Sequence, residues 1–245
     1  MPKHFFFIIS LVLKSAIILS EQEFTNEKRK HQRKLLLKFI DSPVRFLVKH
    51  NISPNTLSLI GFLCSLCVSF FIAMDGLHFS IWFAWIVPFF LFWAGAFDVF
   101  DGEVARRTHQ KSKAGAFLDS NLDRLSDAII VIGLIIGKYI DYYIGYLLLF
   151  LIIMISYIRA KAENENIEMK GIGFMERAER LIILWFAFII EFWVYYLSKL
   201  FLGFQINLFF PVFIVVYIIL LLFTIGQRIS FSVKSLRNLD AQENK

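Results

Sequence analysis

Cysteine and charged residues are scarce in this sequence of 245 residues. It has two cysteines, and 19% of its residues are charged, against 58% that are hydrophobic. Cys64 and Cys67 form a lone Cys-x2-Cys pair in an apolar stretch without a second pair or a nearby histidine, which favours small packing residues over a zinc site. Disulfide use is not indicated. The chain also lacks an internal repeat and a low-complexity linker, so a second domain is not expected.

Long apolar stretches make up most of the chain. Mean hydropathy is +0.63 and 17% of the residues are aromatic, values typical of an integral membrane protein rather than a soluble globule. Because about 20 apolar residues cross a bilayer as a helix, we predict an all-α integral membrane protein built as a six-transmembrane helix bundle. The expected spans cover residues 56–74, 79–97, 116–137, 142–158, 181–198 and 208–226.

Basic residues are distributed unevenly between the connections. They cluster in residues 28–49, 106–113, 159–180 and 228–237, while the alternate connections carry few charges. In a six-span arrangement all basic segments fall on one side, which the positive-inside rule makes cytoplasmic. We therefore expect a multi-pass protein of the cell membrane, in contact with membrane lipids. Nucleic-acid binding is not expected, because the basic residues are scattered over membrane-proximal loops.

Four segments are expected along the chain. Residues 1–27 combine an apolar extension with a polar linker; no clear cleavage site follows, so we expect an accessory anchor or an over-called start codon rather than a signal peptide. Residues 28–53 form a basic juxtamembrane segment, in which the pattern over 35–49 predicts an amphipathic helix on the membrane surface. Residues 54–232 form the six-helix domain. Residues 233–245 form a polar tail, expected to be disordered from residue 235.

Four carboxylates occur at helical spacing within the otherwise apolar chain. Asp98 and Asp101 are three residues apart and Asp119 and Asp123 are four apart, so each pair shares one helix face. A charged side chain inside a bilayer costs about 2.5–3.5 kcal/mol on insertion scales, which marks such residues as functional candidates. A polar loop over residues 106–113 would fold the two helices back to back and turn the carboxylates toward one point. Oxygen-only ligands suit a hard divalent cation, Mg2+ or Mn2+.

The full motif resembles the signature of a known enzyme family. It is Asp98-x2-Asp101-Gly102-x2-Ala105-Arg106-x8-Gly115-x3-Asp119-x3-Asp123, and every fixed position matches the CDP-alcohol phosphatidyltransferases. The resemblance implies a membrane enzyme that moves a phosphatidyl or archaetidyl group from a CDP-linked lipid to a polar alcohol and releases CMP. It further implies two Mg2+ or Mn2+ ions at the cytoplasmic side, and we expect a homodimer. The implied metal ligands are Asp98, Asp101, Asp119 and Asp123, with Asp123 also acting as general base.

Further residues match the substrate contacts of this family. Those implied to bind the CDP-lipid are Asn55, Thr56, Ser58, Gly102, Arg106 and Ser112. Residues 156–163 (Ser-Tyr-Ile-Arg-Ala-Lys-Ala-Glu) and 176–180 (Glu-Arg-Ala-Glu-Arg) resemble the phosphatidylinositol-phosphate and archaetidylinositol-phosphate synthases, which implies inositol phosphate as the acceptor. The implied acceptor contacts are Arg159, Lys161, Arg177, Arg180 and Arg228. Cations converging at one membrane end suit an acceptor that carries its own phosphate. For any single residue the alternative is a helix cap or a helix-end cation paired with a glutamate.

Other assignments stay open at the level of sequence. Glycerol phosphate would satisfy the same cations as inositol phosphate. A prenyltransferase would also use aspartates and Mg2+, but its aspartate motifs usually lie on well-separated helices. A carboxylate-lined cation transporter is disfavoured by the placement of the acids near one membrane face beside Arg106. The sequence does not distinguish diacylglycerol from archaeol tails.

Overall fold

Helices dominate this computed structural model, which describes residues 40–205 and 208–243. No strand occurs in these ranges, in agreement with the all-α prediction. The chain divides into two units between His50 and Asn51. The helices of the second unit are α1 (Pro54–Ala73), α2 (Gly76–Phe79), α3 (Ile81–Ala84), α4 (Ile86–Arg107), α5 (Lys113–Ile136), α6 (Tyr142–Asn164), α7 (Arg177–Leu202) and α8 (Phe209–Glu243).

The described part of the first unit is a helical segment over residues 40–49. Asp41 and Arg45 form an ion pair at 2.5 Å one turn apart on this segment. The remainder of the predicted amphipathic helix, and the whole of the 1–27 extension, lie outside the described residues.

Within residues 40–205 and 208–243, five helical regions are long and apolar enough to cross a membrane. They are Pro54–Ala73, Ile81–Arg107, Tyr142–Asn164, Arg177–Leu202 and Phe209–Gln242. They correspond to five of the six expected spans. The expected third span coincides with α5, which has 24 residues but carries Asp119, Asp123, Arg124 and Asp127, and these charges keep it out of the group. The structure therefore describes a multi-pass membrane protein with five candidate spans.

Side-chain caps fix the start of the two helices that begin nearest the aspartates. Ser53 has an extended backbone and its hydroxyl accepts a hydrogen bond from Thr56 N at 3.2 Å, with Pro54 in the first turn of α1. Ser112 caps α5 in the same way by accepting from Gly115 N at 2.9 Å. Each cap satisfies an amide that has no partner within the first helical turn. The starting points of α1 and α5 are therefore set by local sequence.

Helix α1 packs against both aspartate-bearing helices. The most extensive helix contacts in the described chain are those of α1 with α4 and with α5. Small residues allow this close approach: a Cβ at Gly61 would lie 3.3 Å from Phe97 Cβ on α4, and one at Gly133 would lie 2.7 Å from Ser69 O on α1. Helix α7 packs on α4, and α8 packs on α6. Helix α1 thereby sets the separation of α4 and α5.

The connection between α4 and α5 is shorter than the predicted loop over 106–113. Helix α4 continues to Arg107 and α5 begins at Lys113. Arg106 and Arg107 lie in the last turn of α4, where both pair with Glu103, at 2.6 and 3.1 Å. Cations are favoured at a helix C-terminus, which explains why Arg106 and Arg107 belong to α4 and not to the loop that follows it.

The predicted disorder of the C-terminal tail is wrong over residues 235–243. Helix α8 runs without interruption to Glu243. Phe231 and Leu236 on this helix pack against a small apolar cluster that contains Ile167 and Met169. Apolar burial on one face therefore extends α8 into a segment that is polar in overall composition.

Candidate active site

The four predicted metal ligands lie on two helices that meet at one end of the bundle. Asp98 and Asp101 belong to the C-terminal half of α4, and Asp119 and Asp123 belong to the first half of α5. One carboxylate oxygen each from Asp98, Asp119 and Asp123 lies within 4.8 Å of those of the other two. All three side chains are partly buried. Three carboxylates this close repel one another strongly unless a cation lies among them, and their oxygen donors fit a hard divalent ion.

Asp101 lies beside these three carboxylates and is oriented from α1. It is 5% exposed, and its Oδ2 accepts a hydrogen bond from Ser58 Oγ at 2.5 Å. A single small cavity is lined by all four aspartates together with Ser58 and Arg177. The four predicted ligands therefore face one space, and Ser58 on α1 holds Asp101 toward it.

Arg177 reaches the aspartates from the first residue of α7. Its Nη1 lies 2.5 Å from Asp98 Oδ1 and 2.7 Å from Asp123 Oδ1. Its Nε lies 3.8 Å from Asp127 Oδ1, and its side chain is 16% exposed. The guanidinium thus joins carboxylates of α4 and α5. The sequence motif assigned Arg177 to the acceptor and gave no sign of this contact, because it depends on how α7 packs.

Arg180 and Asp127 form a buried ion pair one turn further from the aspartate cluster. Arg180 Nη2 lies 2.6 Å from Asp127 Oδ2, and both side chains are buried. A buried pair of this kind costs stability when one partner is removed, because the other charge is left uncompensated. Arg180, a predicted acceptor contact, therefore has an internal partner in this structure.

Several predicted nucleotide contacts lie at the adjoining starts of α1 and α5. A Cβ at Gly115 would lie 3.0 Å from Ser112 Oγ and 3.3 Å from Asn55 Oδ1, so these two polar side chains flank the glycine. Thr56 is exposed and its hydroxyl lies 2.8 Å from Ser53 Oγ. Asn55, Thr56 and Ser112 thus occupy one surface, while Ser58 lies one turn deeper against Asp101.

Gly102 and Arg106 lie on the last turns of α4. A Cβ at Gly102 would meet no atom within 4 Å, so its surface is open. Arg106 is held by Glu103, whose Oε2 lies 2.9 Å from Arg106 Nε and 2.6 Å from Nη2. Glu103 is buried and was not singled out from the sequence. Glu103 lies three residues before Arg106 and four before Arg107, a helical spacing from which these ion pairs could have been predicted.

Two predicted acceptor contacts are surface cations at the end of α6. Arg159 Nε lies 2.8 Å from Glu163 Oε1, and Lys161 Nζ lies 3.3 Å from Glu165 Oε1, with 42% and 60% of the cationic side chains exposed. Exposed pairs of this type contribute little to stability. Both cations can therefore exchange their glutamate for an anionic ligand at small cost.

Arg228 on α8 is the most enclosed of the predicted acceptor contacts. It is 3% exposed; its Nε donates to Ile172 O at 3.0 Å and its Nη1 donates to Ile155 O at 2.7 Å. Arg159 and Arg180 lie within electrostatic range of it. Arg228 thus links α8 to α6 and to the connection between α6 and α7. It also adds a positive charge at this end of the bundle.

Comparison with known proteins places these features in a family. The profile of the CDP-alcohol phosphatidyltransferase family matches residues 51–232. The archaetidylinositol phosphate synthase of Methanothermobacter thermautotrophicus is 45% identical over 91 residues, covering 37% of this chain and 46% of that protein. The archaetidylinositol phosphate synthase of Pyrococcus horikoshii is 36% identical over 142 residues, covering 58% of this chain and 71% of that protein. This chain thus spans about half the length of the first relative.

Solved structures share the same fold. The crystal structure of Mycobacterium tuberculosis phosphatidylinositol phosphate synthase with CDP-DAG bound superposes with a TM-score of 0.59 at 26% identity, covering 78% of this chain and 92% of that one. A second structure of that protein, in complex with manganese and citrate, has the same TM-score and identity and covers 87% of that chain.

Proposed function

This chain belongs to the CDP-alcohol phosphatidyltransferase family, and from that premise we propose that it transfers a phosphatidyl or archaetidyl group from a CDP-linked lipid to inositol phosphate, releasing CMP. The observation that carries the proposal is the convergence of Asp98, Asp119 and Asp123 within 4.8 Å, from two helices of a membrane protein. The diphosphate of a CDP-linked lipid lies at the membrane surface. There, metal ions held by the aspartate cluster would bind the negatively charged diphosphate.

The metal-binding role falls to the four aspartates. We propose that Asp98, Asp101, Asp119 and Asp123 hold divalent cations, and that Ser58 fixes the orientation of Asp101 through its 2.5 Å hydrogen bond. When bound, the ions neutralise the diphosphate and the charge that develops on the departing CMP. Manganese in the complex of the mycobacterial neighbour supports Mg2+ or Mn2+ as the metal. Two ions are expected, as the family resemblance implies.

Asp123 is the proposed general base. An alcohol is a weak nucleophile at neutral pH and gains from proton removal during attack. The acceptor oxygen forms a bond to the phosphorus that carries the lipid, and its proton passes to a carboxylate oxygen of Asp123. The bond from that phosphorus to the CMP oxygen breaks, and the electron pair leaves with CMP. The position of Asp123 in the carboxylate cluster supports this role, because the base must lie beside the phosphorus that the cluster and its cations would receive.

The nucleotide end of the substrate is proposed to bind where α1 and α5 begin. Asn55, Thr56 and Ser112 offer side-chain hydrogen bonds on one surface there. Arg106 would add a cation for a phosphate, and its geometry is fixed by Glu103. The open surface of Gly102 would admit the substrate close to the backbone of α4.

Inositol phosphate is the proposed acceptor. Support comes from the relatives, which are named archaetidylinositol or phosphatidylinositol phosphate synthases. It also comes from the cations on α6, α7 and α8, since Arg159 and Arg180 lie within electrostatic range of Arg228. The proposed acceptor contacts are Arg159, Lys161, Arg177, Arg180 and Arg228. A phosphate would offer these cations an anionic partner beyond their own carboxylates, which a neutral polyol does not.

The same proposal includes the placement of the enzyme in the membrane. We propose that α5 is the sixth span, with its charged half at the cytoplasmic surface and its apolar half in the bilayer. Residues 54–232 would then form the catalytic domain, with the active site on the cytoplasmic side of the cell membrane. Association into a homodimer is proposed as well.

An acceptor panel tests the proposed function. The purified full-length protein in detergent, with Mg2+, is incubated with CDP-diacylglycerol or CDP-archaeol and one radiolabelled acceptor at a time. We expect lipid product from inositol phosphate and very little from free inositol. Use of free inositol, serine or glycerol to the same extent would contradict the assignment of a phosphate-binding acceptor site. Product from glycerol phosphate alone would identify glycerol phosphate, and not inositol phosphate, as the acceptor. Absence of metal-dependent CMP release with every acceptor would contradict the proposal as a whole.

A further inference from the structure

Arg177 binds the same carboxylates that the proposed chemistry assigns to metal ions. Its Nη1 lies 2.5 Å from Asp98 Oδ1 and 2.7 Å from Asp123 Oδ1, so one nitrogen bridges aspartates of two helices. These two residues and Asp119 form the group whose oxygens lie within 4.8 Å of one another. The guanidinium is therefore placed inside the ligand set rather than at its rim.

A divalent ion and this guanidinium compete for the space between the carboxylates. An ion such as Mg2+ binds carboxylate oxygens at about 2.0–2.1 Å, and Arg177 Nη1 contacts two of the candidate oxygens at ion-pair distance. Two cations at such separations in a partly buried site repel each other strongly. The side chain of Arg177 must therefore move away as the metal site fills.

We propose that Arg177 has two anionic partners in turn: the metal-ligand aspartates before metal binds, and the phosphate of the acceptor afterwards. The second half of this proposal rests on the proposed function. Arg177 then orders the binding events, because the acceptor site is complete only after the metal site has filled. It also gives the reaction a preference for acceptors that carry a phosphate.

The surroundings of Arg177 support the second partner. Once metal takes Asp98 and Asp123, the nearest remaining carboxylate is that of Asp127, at 3.8 Å from Nε. Asp127 is already bonded to Arg180 at 2.6 Å. A guanidinium that is 16% exposed is then left with unused donors, and a phosphate with several acceptor oxygens matches them well. A hydroxyl of a neutral polyol provides no compensating charge.

Metal affinity provides the first test. Because Arg177 occupies the aspartates before metal binds, the apparent dissociation constant for metal is the intrinsic constant divided by the fraction of protein in which the aspartates are free of Arg177. The hydrogen bond to Asp98 and the ion pair with Asp123 are lost in Arg177→Gln, so we expect Mn2+ to bind this variant about 10-fold or more tightly than wild type. Free Mn2+ is measured by electron paramagnetic resonance in detergent, without any substrate. Mn2+ binding that is unchanged or weaker in the variant would overturn the proposal, since Arg177 would then orient the ligands instead of competing for them.

Arg124→Gln is the matched control. Arg124 carries the same charge close to Asp119, but its Nη1 donates to Ser120 Oγ at 2.6 Å. Its removal changes the charge near the site without opening a ligand contact, and its effect on Mn2+ affinity should be the smaller of the two. Equal gains in both variants would assign the effect to general electrostatics and overturn the proposal. If Arg177→Gln does not fold, Arg177→Met serves in its place with the same expected gain in Mn2+ affinity, because it removes the charge and both contacts but keeps an unbranched side chain.

Acceptor binding provides the second test. Calorimetry with inositol phosphate should show binding to the wild-type protein with Mn2+ and none in chelator, and Arg177→Gln should lose affinity about 10-fold or more while it gains affinity for Mn2+. Equal acceptor affinity with and without Mn2+ would overturn the binding order. A further outcome is that Arg177→Gln gains Mn2+ affinity while the wild-type protein yields no product with any acceptor. In that case the exchange of Arg177 at the aspartates stands and the proposed function fails. The two failures are therefore distinguishable.

Discussion

Gly102 is a single residue at which stability and function can be separated. It lies next to Asp101 on α4, and a Cβ there would meet no atom within 4 Å. A glycine within a helix is destabilising relative to alanine by about 0.5–1 kcal/mol. Packing within the described chain does not require glycine here, which fits the proposed close approach of substrate to α4.

We therefore predict opposite effects of Gly102→Ala on folding and on substrate binding. Thermal unfolding in detergent should be unchanged or slightly raised, while the KM for the CDP-lipid increases and that for the acceptor does not. Gly95→Ala is the control on the same helix, since its Cβ would make only an ordinary contact at 3.9 Å with Leu181 Cδ1. A Gly102→Ala enzyme with wild-type KM for the CDP-lipid would contradict the proposed approach of substrate to α4.

At the scale of residues, the sequence predicts which aspartates form the site but not which side chains they contact. The spacing of Asp98, Asp101, Asp119 and Asp123 predicts which pairs share a helix face, because helical periodicity is local. The hydrogen bond from Ser58 to Asp101 joins residues 43 positions apart. The contact of Arg177 with Asp98 joins residues 79 positions apart. Such contacts depend on helix packing, which residue spacing does not specify.

At the scale of elements, α7 links the site to a polar network near its other end. Glu191 lies on α7 about 21 Å along the axis from Arg177 at 1.5 Å per residue. Glu191 is 2% exposed, and its Oε1 lies 3.2 Å from His78 Nε2. The other ring nitrogen of His78 lies 3.0 Å from Asp75 Oδ1, which also accepts a hydrogen bond from Tyr139 at 2.6 Å. Burial, followed by this hydrogen bond to Asp75, raises the pKa of Tyr139 above its usual range.

This network ties α2 and the α5–α6 connection to α7, and we predict that it serves stability rather than catalysis. Glu191→Leu removes the hydrogen-bond partner of His78 Nε2 on α7 and should lower the free energy of unfolding by about 1–3 kcal/mol. Specific transfer activity of the folded fraction should stay at the wild-type level. Glu191→Gln keeps an acceptor for His78 and is the control, with a smaller loss. Thermal unfolding in detergent checks both, and a Glu191→Leu protein as stable as wild type would contradict the role given to the network.

Prediction of the elements from sequence succeeded where hydropathy was continuous. Spans expected at 142–158 and 181–198 fall within Tyr142–Asn164 and Arg177–Leu202. The expected span over 79–97 corresponds to Ile81–Arg107, in which α4 continues beyond the predicted end to Arg107. Composition alone indicates a loop at the end of α4. The ion pairs of Glu103 with Arg106 and Arg107 stabilise a final helical turn there instead.

At the scale of the whole molecule, the charged groups of the site lie together at one end of an otherwise apolar bundle. Composition and the aspartate motif were enough to predict an all-helical membrane protein and its family, because both depend on features of the primary sequence. The continuation of α8 to Glu243 was not predictable, since it rests on packing of Phe231 and Leu236 near Ile167 and Met169. The carboxylate cluster at the end of apolar helices fits the proposed transfer between a membrane lipid and a water-soluble acceptor.

The most direct test of the central claim is the release of CMP from CDP-diacylglycerol by purified wild-type protein and by Asp123→Asn. With Mg2+ and inositol phosphate, the wild-type protein should release CMP in equal amount to the lipid product, and chelation of the metal should abolish both. Asp123→Asn should still bind the CDP-lipid but turn over about 100-fold more slowly or worse, as expected for a lost general base. Near-normal turnover in Asp123→Asn, or CMP release that does not depend on metal, would contradict the account of the aspartate site.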